Sequence, residues 1–331
     1  MKKWYIPFLL FLILGTVYIA HERNQSNAFI SEEGAIFGTI YHVTYQSKNS
    51  LKQDIEAELA KVDSSLSMFN PQSSISKLNT GKEKEADKMV QEMFSLSKKI
   101  NNATYGAFDP TVAPLVNAWG FGFKHQQIPD EKQVDSLRQF VGFERLRMDN
   151  QGFIQKDDGR MMLDFSAIAK GYATDRVAQV LRKNGVQNFM VEIGGEIVVS
   201  GTNAHGDPWR IGINKPDAVA VDPVQEVLSV SNCAMATSGN YRNYYVTASG
   251  NRLAHTIDPR SGYPIQHNIL SSTVFAPSCA VADAYATAFM VLGLDSAQMV
   301  LEKHPELQAY FIIDAGKGIS KVVKSKNWKL N

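Results

Sequence analysis

Residues 161–201, MMLDFSAIAKGYATDRVAQVLRKNGVQNFMVEIGGEIVVSG, constrain the fold more than any other stretch. A short strand leads into helical periodicity that ends near Asn184, with Gly185 as its stop. A strand from about Asn188 to Ile193 follows and resumes after Gly194 and Gly195. This order of elements does not recur as regular βαβ repeats. FGTIYHVTY, Phe37 to Tyr45, alternates as a strand, and Ser50 can cap a helix in which Leu51, Ile55, Leu59, Val62 and Leu66 recur at helical spacing. Met89, Met93, Phe94 and Ile100 mark a second helix, and Pro129 and Asp130 open a third with Val134, Leu137 and Val141 on its apolar face. Further strands are expected over 209–213, 227–232, 308–313 and 318–323, with a hairpin around Ser249 to Asn251 and helices over Ala280 to Leu292 and 295–303. The expectation is an α+β fold with no internal repeat and no interior linker, one compact unit over residues 31–331.

The composition, 44% hydrophobic and 20% charged, excludes a disordered tail, a collagen-like fibre and a multi-pass membrane protein. Lys and Arg total 34 against 33 Asp and Glu, so no net field attracts nucleic acid, and no nucleic-acid partner is expected. Cys233 and Cys279 are too few for a disulfide scaffold or a thiolate metal site. The amino terminus is separate. Lys2 and Lys3 precede an uncharged apolar stretch from Trp4 to Ala20, which reads as a Sec-type signal or a single anchor. Cleavage after Ala20 would place Tyr18 where a small residue is wanted, so a retained anchor is the favoured expectation. Residues 1–30 then form anchor and linker, and the remainder is extracytoplasmic at the membrane; the alternative is a periplasmic protein released by cleavage.

Several constellations carry chemistry, each against a structural reading. In AFDPTVAPLVNAWGFGF, small residues such as Gly120 permit close backbone approach while Trp119, Phe121 and Phe123 suit one wall of an aromatic cofactor pocket, or the stretch is a packed core loop. In LDFSAIAKGYATD, Asp164 can accept from a base or ribose and Lys170 can meet phosphate, or the two serve as cap and surface charge. The Gly pair of VEIGGEI marks a bulge or a close backbone approach. His255 is the best candidate for proton transfer, with Ser238 and the amides near Gly239 placed to bind an anionic oxygen. Arg242 and Arg260 are candidate phosphate contacts or solvent-facing charges. Asp283 and Thr287 share a helix face, where they offer hard oxygen ligands to Mg²⁺ or serve as cap and helix-internal hydroxyl. No GxxxxGK[ST] loop or strand-linked GxGxxG is present.

Taken together, FGTIYHVTY, MFNPQSSISKLN, GAFDPTVAPLVNAWGFG, LDFSAIAKGYATD, VEIGGEI, ATSGNYRNYY, AHTIDPRSGYPI and ADAYATAFMVLG resemble the ApbE family of FAD:protein FMN transferases over about residues 34–325. The resemblance implies a two-lobed, T-fold-like arrangement with FAD in a central cleft. It also implies transfer of FMN from FAD to a threonine or serine hydroxyl of an acceptor flavoprotein, with release of AMP. Under it, Asp164, Lys170, Ile257 and the Trp119–Phe121 stretch contact FAD. Mg²⁺ is held by the backbone carbonyl of Ala167 and the side chains of Asp283 and Thr287, and His255 assists the acceptor hydroxyl. Phe37 stands where the family often has methionine, which keeps an apolar surface but removes the thioether. Lys170, Asp283 and His255 are thus the expected catalytic group, with Mg²⁺ as cofactor and FAD as bound substrate. Acceptors would be membrane redox subunits or exported flavin reductases. The same charge stabilisation would serve an FAD pyrophosphatase giving FMN and AMP, and a non-catalytic FAD carrier is the alternative from a different class.

Overall fold

Strand β1 (Phe29–Ile36) turns back into β2 (Thr39–Gln46) through Phe37 and Gly38, both at positive φ. The computed structural model describes residues 28–122, 128–216, 224–240, 244–246, 252–316 and 319–330. Helices α1 (Lys52–Leu66), α2 (Ser74–Asn79), α3 (Lys88–Ala103), α4 (Ala113–Ala118) and α5 (Glu131–Arg138) follow. Then come the short ribbon β3 (Leu146–Met148) and β4 (Ile154–Lys156), helix α6 (Ser166–Lys183), and strands β5 (Phe189–Ile193) and β6 (Glu196–Ser200). The rest is β7 (Trp209–Asn214), β8 (Val224–Val230), β9 (Cys233–Gly239), β10 (Tyr244–Val246), β11 (Arg252–Ala254), β12 (Ile269–Ala276), α7 (Cys279–Leu292), α8 (Leu294–Lys303), β13 (Gln308–Asp314) and β14 (Ser320–Lys324).

Eight strands form one sheet in the order β1-β2-β5-β6-β9-β12-β13-β14, antiparallel throughout. Both faces are covered. On one, α6 and α7 lie across the central strands, burying Phe165, Ile168, Val177 and Leu181 with Phe289 and Met290. On the other, the β7–β8 hairpin packs Trp209, Ile211 and Leu228 against Val199, Met235 and Tyr310. That explains why β12 is buried along nearly its whole length instead of alternating. A fully buried side chain such as Phe189 or Phe289 stabilises by about 1.5–3 kcal/mol. A third, smaller cluster of Leu115, Trp119, Val134 and Ile257 holds α4 and α5 against the segment after β11.

The α+β expectation holds, with differences in detail. The Gly194–Gly195 pair is a two-residue hairpin turn rather than a bulge: both have positive φ (58° and 96°), and Ile193 pairs with Glu196 across it. α1 has Leu51 as its N-cap residue without a side-chain cap; Ser50, one residue earlier, donates to Glu32 at 2.6 Å and accepts from the Lys52 N–H at 3.3 Å. α5 opens with a full capping box between Asp130 and Gln133. β1 starts at Phe29, so the sheet reaches back across the expected boundary at residue 31. Among the described residues no helix is long and apolar enough to cross a membrane, which corrects the expected membrane anchorage and membrane partnership. Residues 4–20, on which that expectation rested, lie outside the described residues.

Asp175, on α6, caps α7 from the side: its two carboxylate oxygens accept from the N–H groups of Cys279 and Ala280, each at 2.9 Å. Burial pushes its pKa up to about 6 while those two donors pull it down, and burial does the same to Asp109. Between about pH 4 and pH 6 such a group is protonated in the folded chain and ionised in the unfolded one, so its contribution to stability declines as pH rises through that window. Asp175→Asn should therefore gain on the parent in urea unfolding as pH is raised from 4 to 6. A constant gap between variant and parent across that range would refute the assignment.

Candidate active site

A cavity of about 590 Å³ opens where the ends of β5, β6 and β9 meet the first turn of α6, the middle of α7 and the segment 255–259. Its lining includes Asp164, Ala167, Lys170, Ser238, Gly239, His255, Ile257, Asp283 and Thr287. Chain segments remote in sequence thus deliver most of the candidate residues to one place. α6 places three of them by its own geometry. The Asp164 carboxylate accepts from the backbone N–H and hydroxyl of Ser166, at 2.8 and 2.5 Å, which substitutes for a side chain at the N-cap residue Phe165. Ala167 and Lys170, three apart on the following turn, then face the same side.

Two helices meet tightly beneath the cavity. A Cβ built on Gly171 would lie 2.4 Å from the carbonyl oxygen of Cys279, so only glycine lets α6 approach α7 here. The Gly171 N–H donates to Asp283 Oδ2 at 3.0 Å, which ties the two helices and orients that carboxylate. Asp283 does not cap α7; Ser278 does, accepting from the Val281 N–H. Thr287 and Ser238 hydroxyls lie 3.0 Å apart and link α7 to the end of β9.

The electrostatics centre on one cation. Lys170 Nζ is paired with the buried Glu196 carboxylate. Burial works against the ammonium charge, but Asp283 and Glu196 together hold its pKa above the ordinary lysine value. Burial raises the pKa of Asp283, with Lys170 and the Gly171 N–H opposing, and burial likewise raises that of Asp164. The result, among the described residues, is a single fixed positive charge at the cavity floor, framed by carboxylates that are reluctant to ionise.

The remaining candidates lie around the cavity rather than in its lining. Trp119 is only 8% exposed, packs with Leu115, Val134 and Ile257, and donates its indole N–H to the carbonyl of Gly262 at 2.8 Å. It is the core residue of this loop and supports the cavity through Ile257. Gly120 has positive φ (82°) in the turn after α4, and Phe121 sets its ring edge-on to His255, centroids 6.3 Å apart. Phe37 sits at the β1–β2 turn, half-buried against the main core. Arg260 is engaged with Asp258 through two bonds of 2.8 Å, and Phe123 and Arg242 lie outside the described residues. Trp119→Phe should lower stability by about 1–3 kcal/mol, the cost of leaving a buried carbonyl unpaired, and leave FAD affinity at the parent value. Weaker FAD binding with unchanged thermal unfolding would instead place the indole against the ligand.

The expected metal centre is corrected. Among the described residues no group of three or more His, Cys, Asp or Glu could hold a metal ion, and the acidic neighbours Asp283 and Glu196 are arranged around Lys170 instead. Sequence reasoning missed Glu196 and Asp175. The second glutamate of VEIGGEI was the available signal for the first, since a strand residue next to a tight turn has its direction fixed by the pleat.

Comparison with known proteins agrees with this geometry. The FAD:protein FMN transferase of Haemophilus influenzae is 38% identical, covering 90% of this chain and 90% of its own length. That of Escherichia coli K12 is 36% identical, covering 86% and 84%. The flavin transferase ApbE from Vibrio cholerae superposes with a TM-score of 0.81 at 32% identity, covering 91% of this chain and 98% of its own. The apo form of the Pseudomonas stutzeri flavinyl transferase ApbE also gives 0.81 at 32% identity, covering 91% and 95%. The two-lobed α/β architecture of these structures is that of this chain. A profile described as the ApbE family matches residues 37–311, and the chain belongs to that family.

Proposed function

We propose that this protein transfers FMN from FAD to a threonine or serine hydroxyl of an acceptor flavoprotein, releasing AMP. The observation that carries the reading is the convergence of His255, Lys170, Asp164 and the Ser238–Thr287 pair on one cavity in a chain of this family. In the reaction the acceptor oxygen attacks the FMN phosphorus, a new P–O bond forms, and the bond from that phosphorus to the bridging oxygen breaks. The bridging oxygen leaves on AMP.

Each chain residue has a physical task. His255 takes the proton of the attacking hydroxyl on its imidazole. Lys170 sets an ammonium against the pyrophosphate, and the first turn of α6, with Ser166 and Ala167 in the lining, adds the positive end of an 18-residue helix. The cavity walls hold donor and acceptor in line, which supplies much of the rate in a phosphoryl-type transfer. Ile257 and Val116 give the apolar surface against which a flat ring can lie.

The test is a product assay with FAD and a threonine-bearing acceptor, read by intact mass and by nucleotide chromatography. An acceptor heavier by one FMN moiety, with AMP released in equal amount, is the expected result. Free FMN and AMP without labelling would replace the reading with hydrolysis, and unchanged bound FAD with a carrier. Parallel reactions in magnesium buffer and in excess EDTA read any contribution of metal apart from that of Lys170.

A further inference from the structure

Glu196 is the first residue of β6, directly after the two-glycine turn, and is 2% exposed. One carboxylate oxygen, Oε1, accepts from Lys170 Nζ. The other, Oε2, has no hydrogen-bond partner among the described residues although it is fully buried, and the residue lines the cavity. Nothing in the sheet calls for a carboxylate here. Pairing of Ile193 with Glu196 is a backbone matter, and an apolar side chain would satisfy the strand. Burying a charge with one oxygen unpaired is costly, and a neighbouring carboxylate, Asp283, makes it costlier. Burial and Asp283 both push the Glu196 carboxyl towards its neutral form, with Lys170 opposing. A residue kept at such a position has work to do at the cavity.

We propose that Glu196 is a positioning residue for the transfer reaction: Oε1 fixes the Lys170 ammonium in the cavity, and Oε2 accepts a hydrogen bond from a hydroxyl or N–H group of bound FAD. The inference rests on the FMN-transfer reading and deepens it. FAD carries such donors on its ribityl chain, its ribose and both ring systems, and a buried acceptor oxygen without a protein partner is the complement of one of them. The turn explains how the carboxylate is held. Gly194 and Gly195 close β5 onto β6 with the shortest connection available, and Gly194 abuts Thr39 so closely that a Cβ there would meet its side chain at 2.9 Å. Glu196 therefore projects from backbone anchored on both sides, while the long Lys170 stem is flexible without a partner.

The experiment compares Glu196→Gln, Lys170→Met and the double variant, by equilibrium FAD titration, single-turnover FMN transfer and thermal unfolding. Glu196→Gln keeps the shape but removes the charge that holds Lys170. We expect its single-turnover rate at saturating FAD to fall at least about tenfold while its unfolding temperature is unchanged or raised, since a buried pair is weak support for stability. We also expect the double variant to be no slower than Lys170→Met alone, because the two residues act as one unit. A Glu196→Gln rate within about twofold of the parent, or losses that multiply in the double variant, would overturn the proposal. A fall in unfolding temperature with unchanged turnover would make the residue structural and overturn it equally. Should Glu196→Gln fail to fold, Glu196→Met fills the same space without a polar atom and carries the same comparison. An unmutated protein that labels no acceptor would defeat the transfer reading itself, a result separable from these.

Discussion

Replacing His255 with alanine should cost about 10²–10⁴-fold in the rate of FMN transfer, the usual scale for a general base, while FAD binding is retained. The ring lines the cavity from the segment that follows β11, half-buried, with Phe121 set edge-on against it. Its neighbours on the chain have structural duties: Thr256 bonds to Asn240 at 2.8 Å, Ile257 is core, and Asp258 holds Arg260. His255 sits in a braced loop, so its removal should leave the loop standing. Single-turnover assays at saturating FAD and acceptor, run beside FAD titration and thermal unfolding, decide the matter. Turnover near that of the parent would reject the catalytic role. A loss of FAD affinity in proportion to the loss of rate would make the residue part of the binding surface.

The second large effect is on stability. Gly171→Ala should destabilise the protein by about 1–3 kcal/mol, the range for forcing an extra methyl into a packed core. Its Cβ would meet backbone, not a yielding side chain: the Cys279 carbonyl oxygen at 2.4 Å, with the carbonyl carbon and Ala280 Cα both under 3.0 Å. Helices α6 and α7 would have to separate. Because the Gly171 N–H also holds Asp283, the separation would reach the cavity, so FAD affinity should fall together with the unfolding temperature. Chemical denaturation with the parent as reference measures the first, and a variant as stable as the parent would show that the helices part without cost.

What could be read from the sequence was what the chain encodes locally. Asp164 and Lys170 lie six apart across the start of one helix, and Asp283 and Thr287 lie four apart on another, so spacing put each pair at one place, while Ala167 came only from the family resemblance. The turn at Gly194–Gly195 was visible as punctuation, although its form was not, since a bulge and a two-residue hairpin share the same glycine signal. The roles of Asp175 and Trp119 depended on partners far along the chain. Asp175 carries no local signal of its role, because the N–H groups that it caps belong to Cys279 and Ala280, 104 and 105 residues later. Trp119 reads as either a cofactor wall or a core residue until its indole N–H is seen to bond the Gly262 carbonyl. Ser50 is displaced by one residue from the N-cap position, which Leu51 takes, yet its hydroxyl still accepts from the Lys52 N–H while donating to Glu32.

The Trp119–Gly262 bond spans 143 residues of chain, and β2 pairs with β5 across the whole of the intervening helices. Loop closure over such separations comes before the contacts that reward it, which makes folding slow relative to a chain built from neighbouring hairpins. No early fragment owns the cavity alone, because the segment 107–116 supplies only one side, while the floor comes from α6 and β6 and the far wall from α7, near the end of the sequence. The nucleotide therefore enters a finished protein and cannot act as a template for its assembly. Refolding from denaturant should proceed at the same rate with and without FAD, and only the unfolding rate should slow when the ligand is bound.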